Sequence, residues 1–199
     1  MKRLAVYVHG KGGSAAEAGH YRSLLRGYDV IGFDYRAETP WEAQTEFPAF
    51  FGPLRGQYRT VVLIANSIGA YFAMNALSAR QLDRALLISP IADMEGLILG
   101  RMARLGITQE RLRAEGEIPA EDGEPLSWRY LQHAREVPTA WDVPTEILYG
   151  DRDFLTPPEA MAAFAKRIGA GLTVLAGGEH WFHTKEQMAF LDRWVEKAL

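Results

Sequence analysis

The feature that most constrains this chain is an alternation of short apolar runs with longer stretches of helical character. The runs are Leu4–Val8, Asp29–Phe33, Thr60–Ala65, Ala85–Ser89, Glu146–Tyr149 and Leu172–Leu175. They are short and mostly rich in Val, Ile, Leu or Tyr, as strands buried on both faces require. Helix-length segments near 14–26, 40–54, 67–80, 157–168 and 184–198 separate or follow them. That order predicts an α/β fold with about six mostly parallel strands and helices on both faces, connected by right-handed crossovers.

One connection is longer than a crossover needs. About fifty residues, 91–143, separate the fourth and fifth runs. Met94, Leu97, Ile98, Met102 and Leu105 recur there at helical spacing, and so do Leu126, Tyr130, Leu131 and Ala134. The reading is one domain over 1–199 that carries a small helical insertion at 91–143. A chain of 199 residues suits a single core of that kind.

Composition narrows the function classes. A net charge of −3 offers no basic field for nucleic acid. The absence of cysteine excludes thiol catalysis, disulfides and thiolate metal sites. The apolar run after Met1-Lys2-Arg3 stops at His9-Gly10, too short for a signal peptide. No stretch approaches the ~20 apolar residues of a membrane span. The expectation is a soluble, cytoplasmic protein.

In open parallel sheets, ligands bind beyond the carboxyl ends of the strands. Four polar segments fall at such ends: His9-Gly10-Lys11-Gly12-Gly13-Ser14, Asn66-Ser67-Ile68-Gly69-Ala70, Gly150-Asp151-Arg152-Asp153 and Gly177-Gly178-Glu179-His180. A candidate nucleophile, acid and base thereby share one edge of the expected sheet. Ser67 sits between a strand and a helix, where a sharp turn holds a hydroxyl clear of its backbone and the helix N-terminus offers free N–H groups. Serine is also an ordinary N-cap, so the pentapeptide alone supports either role. The glycine loop is equally ambiguous. The N–H of Lys11 could join that of Ile68 as oxyanion donors. Yet Gly10–Ala15 also fits G-x-G-x-x-A, with Asp34 following about 20 residues on, as in a dinucleotide site. Asp151 and Asp153 both qualify as the acid. Among the histidines, His180 follows a glycine pair that can turn it over the site, with His183 as its competitor. Glu179, His180 and His183 give a poor ligand set for zinc, so no metal or other cofactor is expected.

Taken in order, HGKGGS, ANSIG, GDRDFLTP and GGEHWF resemble the α/β-hydrolase superfamily over nearly the whole chain. The resemblance implies Ser67 as nucleophile, Asp153 as acid and His180 as base, the family order. It favours Asp153 because the family acid follows a glycine by three residues and precedes a proline, here Gly150 and Pro157. It also implies a helical cap where the insertion falls; the elbow departs from the family pattern by opening on Ala65 instead of glycine. The implied activity is cleavage of a small carboxylic ester or related acyl compound through an acyl-enzyme. A non-catalytic binding protein on the same fold is the alternative. Arg36, Met94, Leu97 and Trp181 are the expected substrate contacts, and Lys11, Arg36 and Lys185 suggest some preference for an anionic group. The aromatic stretch Phe47–Phe51 reads as helix packing.

Overall fold

The computed structural model describes residues 2–120, 123–136 and 140–199. Six parallel strands form the main sheet: β1 (Arg3–Val8), β2 (Tyr28–Phe33), β3 (Thr60–Asn66), β4 (Arg84–Ile88), β5 (Thr145–Gly150) and β6 (Gly171–Leu175), in the order β2-β1-β3-β4-β5-β6. All six expected runs are strands, each within a residue or so of its expected ends. The order reverses direction between β1 and β3, whose registered ends are Val8 and Ala65. That reversal is a topological switch point, and it brings the loop after β1 beside the turn after β3.

Strand parity divides the core. One face collects Ala5, Tyr7, Ile64, Leu86, Ile88 and Leu148, which pack with Ala18 and Tyr21 of α1 (Ala18–Leu24) and Leu191, Trp194 and Val195 of α8 (Lys185–Ala198). The alternate residues Leu4, Val6, Leu63, Leu87 and Ile147 are fully buried on the opposite side. There Phe33 at the end of β2 stacks on Phe50 at 4.0 Å and meets Phe47 edge-on at 5.0 Å. Phe47 and Phe50 lie on α2 (Pro40–Phe51), so that aromatic stretch is core. The helix α3 (Ser67–Ala76) packs against α2 and buries Gly69 through Met74 in one run. A helix apolar all round is an interior one.

Local signals set the helix ends. Thr39 accepts the N–H of Glu42 at 3.3 Å, and the Glu42 carboxylate accepts the Thr39 N–H at 3.0 Å, with Pro40 at the first helical position. Thr184 and Gln187 form the same reciprocal cap at the start of α8, the helix that follows α7 (Pro158–Ile168) and β6. The segment expected as one helix from 14 to 26 instead opens with a 3-10 turn, Ala15–Glu17, before α1. The helix expected to reach residue 80 ends at Ala76.

The chain divides into two compact units, Met1–Ala92 with Ala140–Leu199, and Asp93–Thr139. The second unit holds α4 (Met94–Arg104), α5 (Gln109–Glu115) and α6 (Trp128–Glu136). Glu117–Ile118 and Leu126–Ser127 pair there as a short antiparallel ladder. Asp93 caps α4 by accepting the Gly96 N–H at 2.9 Å, and Thr108 caps α5. Arg135 ties α6 to α4 through Glu95 at 2.7 Å. Residues 121–122 and 137–139 of the expected insertion lie outside the described residues. Between β4 and the insertion, Ser89 is fully buried with a left-handed φ of 44°. Its N–H donates to the Leu148 carbonyl, and its hydroxyl has no hydrogen-bond partner among the described residues.

Candidate active site

Ser67 is the first residue of α3, and its φ is 51°, in the left-handed region that L-residues avoid. Holding a non-glycine residue there costs about 1–3 kcal/mol, which the buried strand and helix on either side sustain. The kink lifts the side chain off the backbone path. Ser67 Oγ lies 2.8 Å from His180 Nε2, and His180 Nδ1 lies 2.7 Å from Asp153 Oδ2. A carboxylate only accepts, so Nδ1 carries the ring proton and donates it to Asp153. Nε2 of the neutral ring is then bare and accepts from the serine hydroxyl.

The Asp153 side chain is fully buried, and that of His180 is nearly so. Two backbone N–H groups hold Asp153: Leu155 donates to Oδ1 at 2.8 Å and Thr156 at 3.3 Å. The second oxygen is thereby left to His180. The Asp153 N–H closes a turn onto the Gly150 carbonyl at 3.0 Å, which swings the side chain inward. Below it, the buried Tyr149 hydroxyl donates to the Thr156 carbonyl at 2.7 Å. Asp151 does different work. Its Oδ1 accepts the Gly177 N–H at 2.7 Å and joins the loops after β5 and β6. The same loops are joined by Arg152 N–H to Gly178 O at 2.8 Å.

The glycine loop is built against the serine turn. A side chain at Gly10 would bring its Cβ to 3.2 Å from the Ser67 Cβ, and one at Gly69 would collide with the His9 carbonyl. That carbonyl accepts the Tyr35 hydroxyl at 2.9 Å, while the His9 ring stacks on Tyr35 at 4.4 Å. Lys11 lies in a turn closed by Gly13 N–H to Gly10 O at 3.1 Å.

The sequence reading missed a bracket behind this loop. Glu17 accepts the Ser14 N–H at 3.0 Å through Oε1 and the Tyr7 hydroxyl at 2.5 Å through Oε2. Burial, then the neighbouring Tyr21 and Glu17, push the Tyr7 phenol far above its ordinary value. It stays a neutral donor to Glu17. The available signal was the Ser14-x-x-Glu17 spacing of a capping box.

The Arg36 N–H donates to the Glu46 carboxylate at 2.9 Å. Arg36, Lys185 and Asp34 are exposed, Asp34 just beyond β2. Met94 and Leu97 belong to the first turn of α4. Trp181 is exposed beside His180, whereas Phe182 is buried in the core against α8. His20 bonds Asp192 at 2.7 Å and links α1 to α8. His183 lies 3.5 Å from Glu179. Among the described residues no cluster of three or more His, Asp or Glu could hold a metal ion, and no helix is long and apolar enough to cross a membrane.

The model of the alpha/beta hydrolase family matches residues 5–193, and the chain belongs to that family. Membership supports a hydrolase in general terms. Among solved structures, Est1E from Butyrivibrio proteoclasticus is similar with a TM-score of 0.74 at 20% identity, over 99% of this chain and 86% of that one. A monoacylglycerol lipase from Paleococcus ferrophilus is similar with a TM-score of 0.65 at 17% identity, over 98% and 93%. The Pyrococcus furiosus esterase PF2001 gives 0.62 at 18%, over 99% and 80%. No curated protein sequence matches the chain significantly.

Proposed function

We propose that this chain is a cytoplasmic serine hydrolase that cleaves a small carboxylic ester or related acyl compound. The observation that carries the reading is Ser67 at φ 51° with its hydroxyl 2.8 Å from a histidine whose other nitrogen is 2.7 Å from a buried carboxylate. A serine hydroxyl is inert without a base, and a base is useful only when its tautomer is fixed. Both conditions are met by this arrangement. An ester is the substrate class because it is the most reactive common acyl donor, and two of the similar structures are named as an esterase and a lipase.

In the first half-reaction Ser67 Oγ attacks the acyl carbon while its proton passes to His180 Nε2. The carbonyl oxygen becomes an oxyanion facing the N–H groups of Lys11 and Ile68. Asp153 stabilises the imidazolium through Nδ1–H. Collapse breaks the ester C–O bond, and the departing oxygen takes the proton from Nε2. Water then repeats the sequence on the acyl-enzyme, releasing a carboxylic acid and restoring Ser67. Every group involved belongs to the chain, and the chemistry needs no cofactor. Arg36 remains a proposed substrate contact.

Labelling with a fluorophosphonate tests the reading. Wild type is expected to be modified at Ser67, with labelling lost in Ser67→Ala and His180→Ala. A folded wild type that does not label would instead mark a binding protein on the same fold.

A further inference from the structure

Beside His180 lies an open groove of about 290 Å³, lined by Arg152, Phe154, Glu179, His180, Trp181 and His183. Its residues come from the loops after β5 and β6. Two of them are large apolar side chains left in solvent: Phe154 is 83% exposed and Trp181 70%. Large aromatic side chains left in solvent on the lining of one groove point to a binding surface.

Their outward display follows from how their neighbours are anchored. Asp153 turns inward to His180 and the Leu155 N–H is tied to Asp153 Oδ1, so Phe154 between them projects out. Phe182 is buried in the core with α8, so Trp181 before it also projects out. Neither ring is loose. The Phe154 ring meets the His180 ring at 6.0 Å and 61°, edge to face. The Trp181 indole stacks on His183 at 5.2 Å, and His183 Nδ1 lies 2.8 Å from the Trp181 carbonyl. Arg152 and Glu179 bring one charge of each sign to the rim, which gives an anion no advantage.

The proposed chemistry says which half of the substrate lies here. His180 must return its proton to the leaving oxygen, so that oxygen sits on the His180 side of Ser67. The acyl oxygen sits on the other side, toward Lys11 and Ile68. We propose that Phe154 and Trp181 form the leaving-group subsite, and that it takes a neutral aromatic alcohol. This rests on the serine hydrolase reading and adds the substrate class to it.

The test compares benzyl acetate with ethyl acetate, which share one acetyl-enzyme and differ only in the alcohol. Wild type is expected to prefer benzyl acetate in kcat/KM. In Phe154→Ala and Trp181→Ala the benzyl-to-ethyl ratio should each fall by roughly threefold to tenfold, the worth of one aromatic contact. Trp181→Phe, which restores a ring, should recover part of the ratio. Fluorophosphonate labelling of each variant reports whether Ser67 still reacts, and a melting curve reports folding. A labelled wild type with no benzyl preference, or a preference that survives both alanine substitutions, overturns the subsite and leaves the hydrolase intact. A folded wild type that does not label overturns the hydrolase reading and the subsite with it.

Discussion

Ser67 and His180 are 113 positions apart in the chain, yet Oγ and Nε2 stand 2.8 Å from each other. The sheet explains the meeting. Ser67 follows β3 and His180 follows β6, and every strand between them is parallel, so all carboxyl ends open on one edge.

Asp153 sets the tautomer of that histidine. Asp153→Asn offers Nδ1 an amide in place of an acceptor carboxylate, which favours the tautomer with Nε2 protonated. Acylation of Ser67 should slow by roughly ten-thousandfold with little change in folding. Asp151→Asn touches only the Gly177 N–H, so its effect on the fluorophosphonate labelling rate should be far smaller.

Backbone strain at Ser67 has a signature in stability. Ser67→Gly and Ser67→Ala should both abolish labelling. Glycine tolerates φ 51° and alanine does not, so the glycine variant should be the more stable by about 1 kcal/mol in urea unfolding. Ser89→Gly is the companion measurement, with φ 44° and a buried hydroxyl that has no partner among the described residues. It should raise Tm while labelling persists.

Tyr7→Phe removes the hydroxyl that Glu17 accepts. The loss should cost about 1 kcal/mol, the worth of one hydrogen bond, since the Glu17 carboxylate left behind is exposed to water. Labelling should slow as well, since Glu17, which holds the Ser14 end of the glycine loop, loses its tie to β1. Equal loss of stability with an unchanged labelling rate would restrict the bracket to a structural part.

Alkali should unfold the protein through its buried phenols. Burial first, then Asp153, Asp151 and Glu159, push the Tyr149 phenol up to about 12 from 10.0. Burial likewise pushes Tyr71 up to about 12. Each folded pKa lies above its unfolded value, so the stabilisation is complete below about pH 10 and is lost as pH rises toward 12. The urea midpoint should therefore fall across that window. Tyr149→Phe should flatten the fall, at the cost of the bond to the Thr156 carbonyl.

The strands were readable because burial on both faces writes an unbroken apolar run, as in Leu4–Val8 and Val61–Ala65. The helix Gln109–Glu115 was not, because it buries a single side chain, Leu112, and shows no apolar stripe. Asp151 and Asp153 share one polar turn and differ only in which way a backbone bond swings each carboxylate. Tyr7 reads as one more apolar strand residue. Its hydroxyl reaches Glu17 because the 3-10 turn after the glycine loop folds back beside β1, and that return is not written in the strand.

The bonds between the loops after β5 and β6 have a mechanical consequence. Asp151 Oδ1 with Gly177 N–H, Arg152 N–H with Gly178 O, and the tight contact of Gly150 with Gly178 make the two loops one rigid piece. Asp153 and His180 are therefore carried on a common plate, while Ser67 and the glycine loop ride on the neighbouring strands. A displacement of that plate changes the reach from Nε2 to Oγ but leaves the Nδ1 contact with Asp153 untouched. Drift of the two loops would thus open the gap between Ser67 and His180 before it parted His180 from Asp153.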